Sequence, residues 1–163
     1  MRTDRILGID PGTGILGFGL IDIDSRGKAS LVDAGVIRTK PNQPDSERLL
    51  IIYDELSEII AQTNPTCMAV EKLFFAQNVT TAMTVAQARG VVLLAGEKSE
   101  LPLSEYTPLQ IKQALTGYGR ADKKQIQEMV RVLLSLKDVP KPDDCADALA
   151  TALCHTMHRK LNL

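Results

Sequence analysis

The sequence lacks the features that mark membrane-spanning, secreted and disulfide-stabilised proteins. No apolar run approaches the roughly 20 residues that a membrane-spanning helix needs. The N-terminal stretch MRTDRILGID has too short an apolar segment for a signal peptide. The three cysteines form no CxxC pair and show no zinc-binding spacing. We therefore expect a cytoplasmic protein without a membrane partner, whose cysteines are reduced packing residues.

The chain also has almost no net charge, because 19 lysines and arginines balance 20 aspartates and glutamates. Such a balance does not by itself indicate a nucleic-acid-binding protein, but a basic face can coexist with an acidic site. Hydrophobic residues make up 44% of the 163 residues and charged residues 24%, as in ordinary globular proteins. These values predict one folded domain over residues 1–163 and exclude a disordered or fibrous chain.

The hydrophobic pattern predicts that the first forty residues are strands. The segments RILGID, ILGFGLIDID and ASLVDAGVIRT have strand patterns, and residues 25–28 form a hairpin turn between the second and the third. After the proline-containing loop 41–45, apolar residues recur at helical spacing. We expect Ser46 to cap this helix and Asn64-Pro65 to end it.

The rest of the sequence alternates between strands and helices. We expect a buried strand CMAVEK, a helix over about 78–96 that is rich in small residues, and a strand over 103–106. Three helices follow: Thr107 caps the first and Asp122 the second, and the third runs over about 143–159. The order predicts an α/β protein with a mixed sheet and helices packed on it.

The segment GIDPGTGILG contains three glycines in the G-x-G-x-x-G pattern of dinucleotide-binding proteins, at Gly12, Gly14 and Gly17. That function requires a helix to begin there. The following residues, FGLIDID, alternate like a strand instead. We therefore interpret the glycines as a tight hairpin that needs positive φ angles.

Four acidic residues stand on otherwise apolar elements. Asp10 ends a strand, Glu71 interrupts another, and Asp144 and Asp147 are three residues apart and thus on one face of a helix. Each has a simpler explanation: Asp10 can cap a turn, Glu71 is commonly solvated or ion-paired, and acids favour the first turn of a helix, which is how we interpret Asp143. Together they suggest a converged set of carboxylates, which would repel one another without a hard divalent cation such as Mg²⁺.

These segments resemble the RuvC family of bacterial Holliday-junction resolvases. The resemblance rests on GIDPG, AVEKLF and the D-x-x-D that opens the last helix, and on ARGV, IKQAL-TG and ADALA. It covers essentially the whole chain in the same order. It implies a ribonuclease-H-like five-stranded sheet with helices on both faces, a symmetric homodimer, and cleavage of four-way DNA junctions in recombination and repair. It also implies a complex with the branch-migration helicase proteins RuvA and RuvB.

The resemblance also assigns the acidic positions. The metal-binding and catalytic acids of the family fall on Asp10, Glu71, Asp144 and Asp147. Asp144 is chosen over Asp143 because the family separates this acid from the last by three positions. Two Mg²⁺ ions per subunit are implied, with Mn²⁺ as a substitute, and such ions activate a water and stabilise the leaving oxygen of a phosphodiester.

Further positions are implied to contact DNA. The family has a base-contacting aromatic residue three positions after the strand glutamate, which is Phe74 here, and Phe75 shares the role. Without the resemblance, an aromatic residue here would be assigned to the core. Two lysines that assist catalysis or hold phosphate match Lys112 and Lys123, which would otherwise count as solvated surface residues. Arg120 and Lys124 join Lys123 in a basic cluster, which predicts salt-dependent binding.

Two features lie outside this set of residues. His155 and His158 are i, i+3 on the last helix, but His155 lies eight residues beyond Asp147, about 12 Å along the axis, so it cannot serve the same ions. We interpret both histidines as favourable charges at a helix C-terminus. The small residues of the helix over 78–96 predict close packing on the sheet or a second subunit, and make this helix our candidate dimer surface.

Three other functions compete with the resolvase. An actin-like ATPase or sugar kinase also has an Asp-x-Gly loop after its first strand, but it needs two such domains, roughly twice this length. A non-catalytic junction-binding protein would not need all four acids. A ribonuclease-H-like nuclease acting on RNA would not be expected to match Phe74, Lys112 and Lys123.

Overall fold

A mixed five-stranded sheet forms the centre of the molecule. The computed structural model describes residues 4–72 and 79–161. The predicted meander consists of the antiparallel strands β1 (Asp4–Asp10), β2 (Ile15–Ile23) and β3 (Ala29–Arg38). Strands β4 (Cys67–Glu71) and β5 (Leu103–Tyr106) run parallel to β1, in the order β3-β2-β1-β4-β5. The predicted mixed sheet is confirmed.

Five helices connect and cover the strands within the described residues. They are α1 (Asp45–Thr63), α2 (Val79–Lys98), α3 (Pro108–Thr116), α4 (Lys123–Leu133) and α5 (Asp143–Leu161). The predicted caps of α3 and α4 are confirmed, since the side chains of Thr107 and Asp122 each accept a bond from the third residue of their helix.

The predicted cap of α1 is wrong. The N-cap is Pro44, whose carbonyl oxygen accepts hydrogen bonds from the backbone N–H groups of Glu47 and Arg48. Ser46 therefore lies inside the first turn of the helix and does not cap it. The predicted end is confirmed: Asn64 takes the left-handed conformation that follows many helices, with φ 48°.

The helices lie on both faces of the sheet, as expected. Alternate strand residues point to opposite faces. On one face, strand residues such as Ile6, Ile21 and Ala69 pack against α3, α4 and α5. On the other face, strand residues such as Leu7, Leu20 and Val70 pack against α1 and α2.

Glycines on β1 and β2 allow α5 to lie directly on the sheet. A Cβ atom at Gly8 would overlap the carbonyl oxygen of Ala148, and one at Gly17 would lie 2.7 Å from the carbonyl carbon of Asp144. The prediction of positive φ angles at Gly12, Gly14 and Gly17 is therefore wrong, since none of the three has one. At Gly17 the side chain is excluded by the backbone of α5.

Helix α2 corrects one expectation from the sequence. Its 20 residues include a window of mean hydropathy 1.3, so it is long and apolar enough to cross a membrane by length and composition alone. Ala88, Val92 and Ala95 nevertheless pack into the core against the sheet and α1. The outer face of α2 carries exposed apolar side chains, among them Val79 (79% exposed) and Met83 (64%).

Candidate active site

Strand register brings Asp10 and Glu71 together at one edge of the sheet. The two residues end the adjacent parallel strands β1 and β4, in which Ile9 is paired with Val70. Both lie on the face that α5 covers, because they continue the alternation of Gly8 and Ala69. Their carboxyl groups are in hydrogen-bonding contact. The sequence prediction that these two acids converge is consistent with this arrangement.

Burial and like charge perturb both groups. Burial, and then the charges of Glu71, Asp147 and Asp144, raise the pKa of Asp10 to about 9. Burial also raises the pKa of Glu71, although its hydrogen bond with Asp10 opposes the shift. Without a bound cation the two carboxyl groups therefore share a proton at neutral pH.

Helix α5 contributes the other two predicted acids. Its first turn rests on Gly17, where the backbone of Asp144 touches the strand. Asp147 lies one turn further along the helix, and burial raises its pKa, while the charge of Lys123 opposes the shift. Both acids act electrostatically on Asp10, so all four predicted acids lie in one region of the molecule.

Asp143, next to Asp144, forms ion pairs with two lysines. Its carboxylate contacts Lys123 Nζ at 3.3 Å and Lys141 Nζ at 3.1 Å. These two cations lower the pKa of Asp143, with Lys141 the larger influence. The charge of Asp144 is among the causes that raise the pKa of Asp10, whereas Asp143 acts on Asp147. The electrostatic contact of Asp144 with Asp10 is consistent with the choice of Asp144 for the acidic cluster.

The two predicted lysines border the acids. A cleft of about 220 Å³ is lined by Glu71, Asp147, Lys112 and Lys123. Lys123 Nζ lies 3.6 Å from Asp147 Oδ2. Burial lowers the pKa of Lys123, but the charges of Asp147 and Asp143 outweigh burial and raise it. The lysines thus place positive charge beside the acids.

The other predicted DNA-contacting residues are less closely tied to the acids. Lys124 lines a separate cleft of about 510 Å³, which holds none of the four acids. Arg120 is exposed in the loop before α4. Phe74 and Phe75 lie outside the described residues.

Two residues that border the site were not singled out by the sequence analysis. Arg89 lines a second cleft, of about 230 Å³, with Asp10 and Glu71, and it forms an ion pair with Glu105 on β5. Arg89 lies in the ARGV segment, which supports the resemblance, but no role was assigned to it. Thr13, in the turn after Asp10, is buried and bonded to α2. A hydroxyl in a glycine-rich turn gave no comparable signal.

The four acids offer carboxylate oxygens, which are the ligands that a hard divalent cation prefers. Three of the four have raised pKa values, as expected for acids that lie close together. A bound cation would replace the proton shared by Asp10 and Glu71 and relieve the mutual repulsion. In residues 4–72 and 79–161, however, no three His, Cys, Asp or Glu side chains are already arranged around a common centre.

The interpretation of His155 as a favourable charge at the C-terminus of α5 is wrong. This side chain is buried, with Nδ1 2.8 Å from the Tyr106 hydroxyl and Nε2 3.5 Å from Cys67 Sγ. Burial lowers the pKa of His155, so the ring is neutral at pH 7 and does not act as a helix-terminal cation. His158 Nδ1 instead lies 3.0 Å from the carbonyl oxygen of Cys154. All three cysteines are buried and unpaired, as predicted.

Comparisons with known proteins agree with this arrangement. The family model described as "Crossover junction endodeoxyribonuclease RuvC" matches residues 6–155. A RuvC of Roseiflexus sp. is 53% identical over 156 residues, which are 96% of this chain and 92% of the relative. One of Desulfitobacterium hafniense is 57% identical over 150 residues, 92% of this chain and 90% of the relative.

Solved structures indicate the same family. Thermus thermophilus RuvC in complex with a Holliday junction superposes with a TM-score of 0.92 at 38% identity, over 98% of this chain and 96% of that one. A yeast mitochondrial Holliday junction resolvase, at 16% identity, shares the fold with a TM-score of 0.67, over 99% of this chain and 85% of that one. The chain has the ribonuclease-H-like fold and belongs to the RuvC family of crossover junction endodeoxyribonucleases.

Proposed function

We propose that this protein resolves four-way DNA junctions by paired symmetric nicks, in recombination and repair. The observation that carries the proposal is the convergence of Asp10, Glu71, Asp144 and Asp147 beside two lysines, in a chain that matches the family over residues 6–155. The related Thermus thermophilus RuvC has been solved with a Holliday junction. We treat residues 1–163 as one nuclease domain that acts in the cytoplasm, where the DNA substrate lies.

We assign the four acids to the binding of two Mg²⁺ ions per subunit, with Mn²⁺ as a substitute. When bound, such ions activate the attacking water and stabilise the negative charge on the leaving oxygen. The acids themselves would fix the positions of the ions, and the partial burial of Asp10 and Glu71 reduces the screening of their charges by bulk water. Lys112 and Lys123 neutralise the scissile phosphate and hold it at the mouth of the cleft.

DNA binding extends beyond the cleft in this proposal. Arg120 and Lys124 contact phosphates on either side of Lys123, which makes junction affinity fall with salt concentration. Phe74 and Phe75 come three and four residues after Glu71, the last residue of β4, and we assign them to contacts with the junction bases.

We propose that the active form is a homodimer that pairs through α2. Its outer face exposes Val79, Met83 and Leu94, which gives an apolar stripe along a helix whose inner face is already packed. Two copies related by a two-fold axis would present two sites to the two-fold symmetric junction. RuvA and RuvB are the expected helicase partners of this dimer.

The deciding experiment is cleavage of a labelled synthetic four-way junction with Mg²⁺, with Mn²⁺ and with EDTA, beside a linear duplex of the same sequence. We expect paired nicks on the junction only, and only with a divalent ion. Junction binding without nicks under every metal condition would contradict the catalytic assignment. Equal cleavage of junction and duplex would contradict the junction specificity and leave the metal-dependent nuclease.

A further inference from the structure

The turn that follows Asp10 is held from two sides by side-chain hydroxyls. Residues 11–14 join β1 to β2 and belong to neither strand. On one side, Thr39 donates its hydroxyl to the carbonyl oxygen of Thr13 at 2.6 Å, and its backbone N–H to that of Gly14 at 3.0 Å. The guanidinium of Arg48 on α1 in turn donates to the Thr39 hydroxyl at 2.9 Å. This side of the turn is fixed to the β3–α1 connection.

The other side of the turn is fastened to α2. The hydroxyl of Thr13 donates to the backbone carbonyl oxygen of Thr84 at 2.7 Å, across 71 residues of sequence. Thr13 is only 6% exposed, so water does not compete for this bond. Thr151, the other buried threonine of the described residues, donates to a carbonyl oxygen of its own helix instead. Thr13 therefore links separate elements, whereas Thr151 does not.

The carbonyl that Thr13 contacts lies in the part of α2 that borders the catalytic cleft. Val85, the next residue, and Arg89 one turn later line the cleft together with Asp10 and Glu71. Met83, the residue before Thr84, belongs to the exposed apolar stripe. The Thr13 bond thus joins the backbone beside Asp10 to a helix that forms a cleft wall with one face and an open apolar surface with the other.

We propose that Thr13 is a positioning residue, whose hydroxyl fixes the Asp10 turn against α2 and so sets the position of the Asp10 carboxylate. A bond of this kind matters because catalysis depends on the placement of groups to within a fraction of an ångström. This inference rests on the proposed function, because it assigns Asp10 to the reaction. It adds a residue that acts through the backbone of the turn rather than by contact with the reacting groups.

The test compares Thr13→Val, which removes the hydroxyl at nearly constant volume, with Thr13→Ser, which keeps it. Thr63→Val is the matched control, since the Thr63 hydroxyl bonds within α1 at the opposite end of the sheet. We expect Thr13→Val to lower the single-turnover cleavage rate by roughly 10- to 100-fold, as expected for misplaced catalytic groups. Junction affinity in EDTA should stay within about twofold, because the phosphate-binding lysines are untouched. Thr13→Ser should restore the rate, and Thr63→Val should match the parent chain.

A second measurement does not depend on activity. Hydrogen–deuterium exchange of a peptide covering residues 11–16 should be faster in metal-free Thr13→Val than in the parent chain, and should return to the parent rate in Thr13→Ser. Unchanged exchange and an unchanged cleavage rate in Thr13→Val would overturn the proposal, as would equal defects in the valine and serine variants. If the valine variant does not fold, Thr13→Ala is tested against the same expectations. If the parent chain cleaves no junction, the proposed function fails, and the exchange experiment still decides whether Thr13 fastens the turn.

Discussion

Helix α5 carries shielded polar groups near both of its ends, since Asp147 is half-buried and His155 is buried. The two ends differ in how these groups are satisfied. Near its start, Asp147 joins Asp10 and Glu71, and burial raises the pKa of each. Eight residues later, about 12 Å along the axis, His155 hydrogen-bonds to the Tyr106 hydroxyl, and burial keeps the ring neutral. One end therefore holds surplus negative charge, while the other is a neutral network.

The acidic end has the character of a functional site, whereas the neutral end has that of a network that stabilises the fold. A buried polar group with neutral partners costs little and helps to specify the packing. Buried carboxylates close together repel one another, and only protons or cations relieve the repulsion. The acidic end is thus expected to destabilise the metal-free protein, which is a common property of active sites. Removing a charge at the acidic end should therefore stabilise the metal-free protein, whereas removing a hydrogen-bonding group at the neutral end should destabilise it.

The largest effect is expected at the acidic end. Asp10→Asn removes the most strongly perturbed carboxylate while keeping its shape. Cleavage should fall by at least about 10³-fold, whereas junction binding in EDTA should be retained. The same variant should unfold at higher urea concentration than the parent chain in EDTA at pH 8, because the amide is neutral without having to bind a proton on folding. Retained cleavage would contradict the assignment of Asp10.

Gly17→Ala tests whether the close approach of α5 assembles the acidic end. The added methyl group would overlap the carbonyl of Asp144 and push the first turn of the helix away from the strand. We expect a loss of about 3 kcal/mol in the free energy of unfolding, within the range seen for overpacked cores. Cleavage should also fall, because Asp144 and Asp147 move with the helix.

Gly14→Ala is the comparison for this variant, since a Cβ atom there would make only an ordinary contact, 3.5 Å from Arg48 Nη2. Urea denaturation of both variants gives the measurement. Equal stability of the Gly14 and Gly17 variants would show that α5 tolerates the displacement.

The stability of the metal-free protein should depend on pH in a direction set by Asp10. Its pKa is raised from 3.8 to about 9 in the folded state, so the folded state binds more protons than the unfolded state between these values. The free energy of unfolding should therefore fall as pH rises from about 4 to 9, by at most about 1.4 kcal/mol per pH unit for one proton.

Urea denaturation in EDTA at a series of pH values measures this slope. Asp10→Asn should flatten it, and Mg²⁺ should stabilise the parent chain more at pH 8 than at pH 6, because the ion competes with the proton. A slope that is the same in the parent and the variant would assign the pH dependence to other groups.

The smallest effect is expected at the neutral end. Tyr106→Phe removes the hydroxyl that bonds to His155 Nδ1 and leaves that buried nitrogen without its partner. We expect a loss of about 1–2 kcal/mol in the free energy of unfolding. Cleavage per folded molecule should be unchanged well below the melting temperature. A large loss of cleavage in the folded variant would mean that the two ends of α5 are not independent.

Local patterns in the sequence determined much of the fold. Short apolar runs and strand alternation predicted β1 to β5, and the side chains of Thr107 and Asp122 identified the starts of α3 and α4, because capping depends on residues only three positions apart. The same alternation explains why Asp10 and Glu71 face α5 from neighbouring strands. The acids could therefore be identified from local sequence, since a charged residue on an apolar element is a local anomaly.

Tertiary structure alone decided the features that depend on distant contacts. His155 meets Cys67 across 88 residues and Tyr106 across 49, so its position on α5 indicated only the end of a helix. The glycine pattern suggested a strained turn, whereas the role of Gly17 is to let the backbone of α5 approach. Local sequence encodes periodicity and capping, but it does not encode which backbone lies against a glycine or which hydroxyl a buried histidine meets. Packing of the whole chain fixes those contacts, and with them the raised pKa of Asp10.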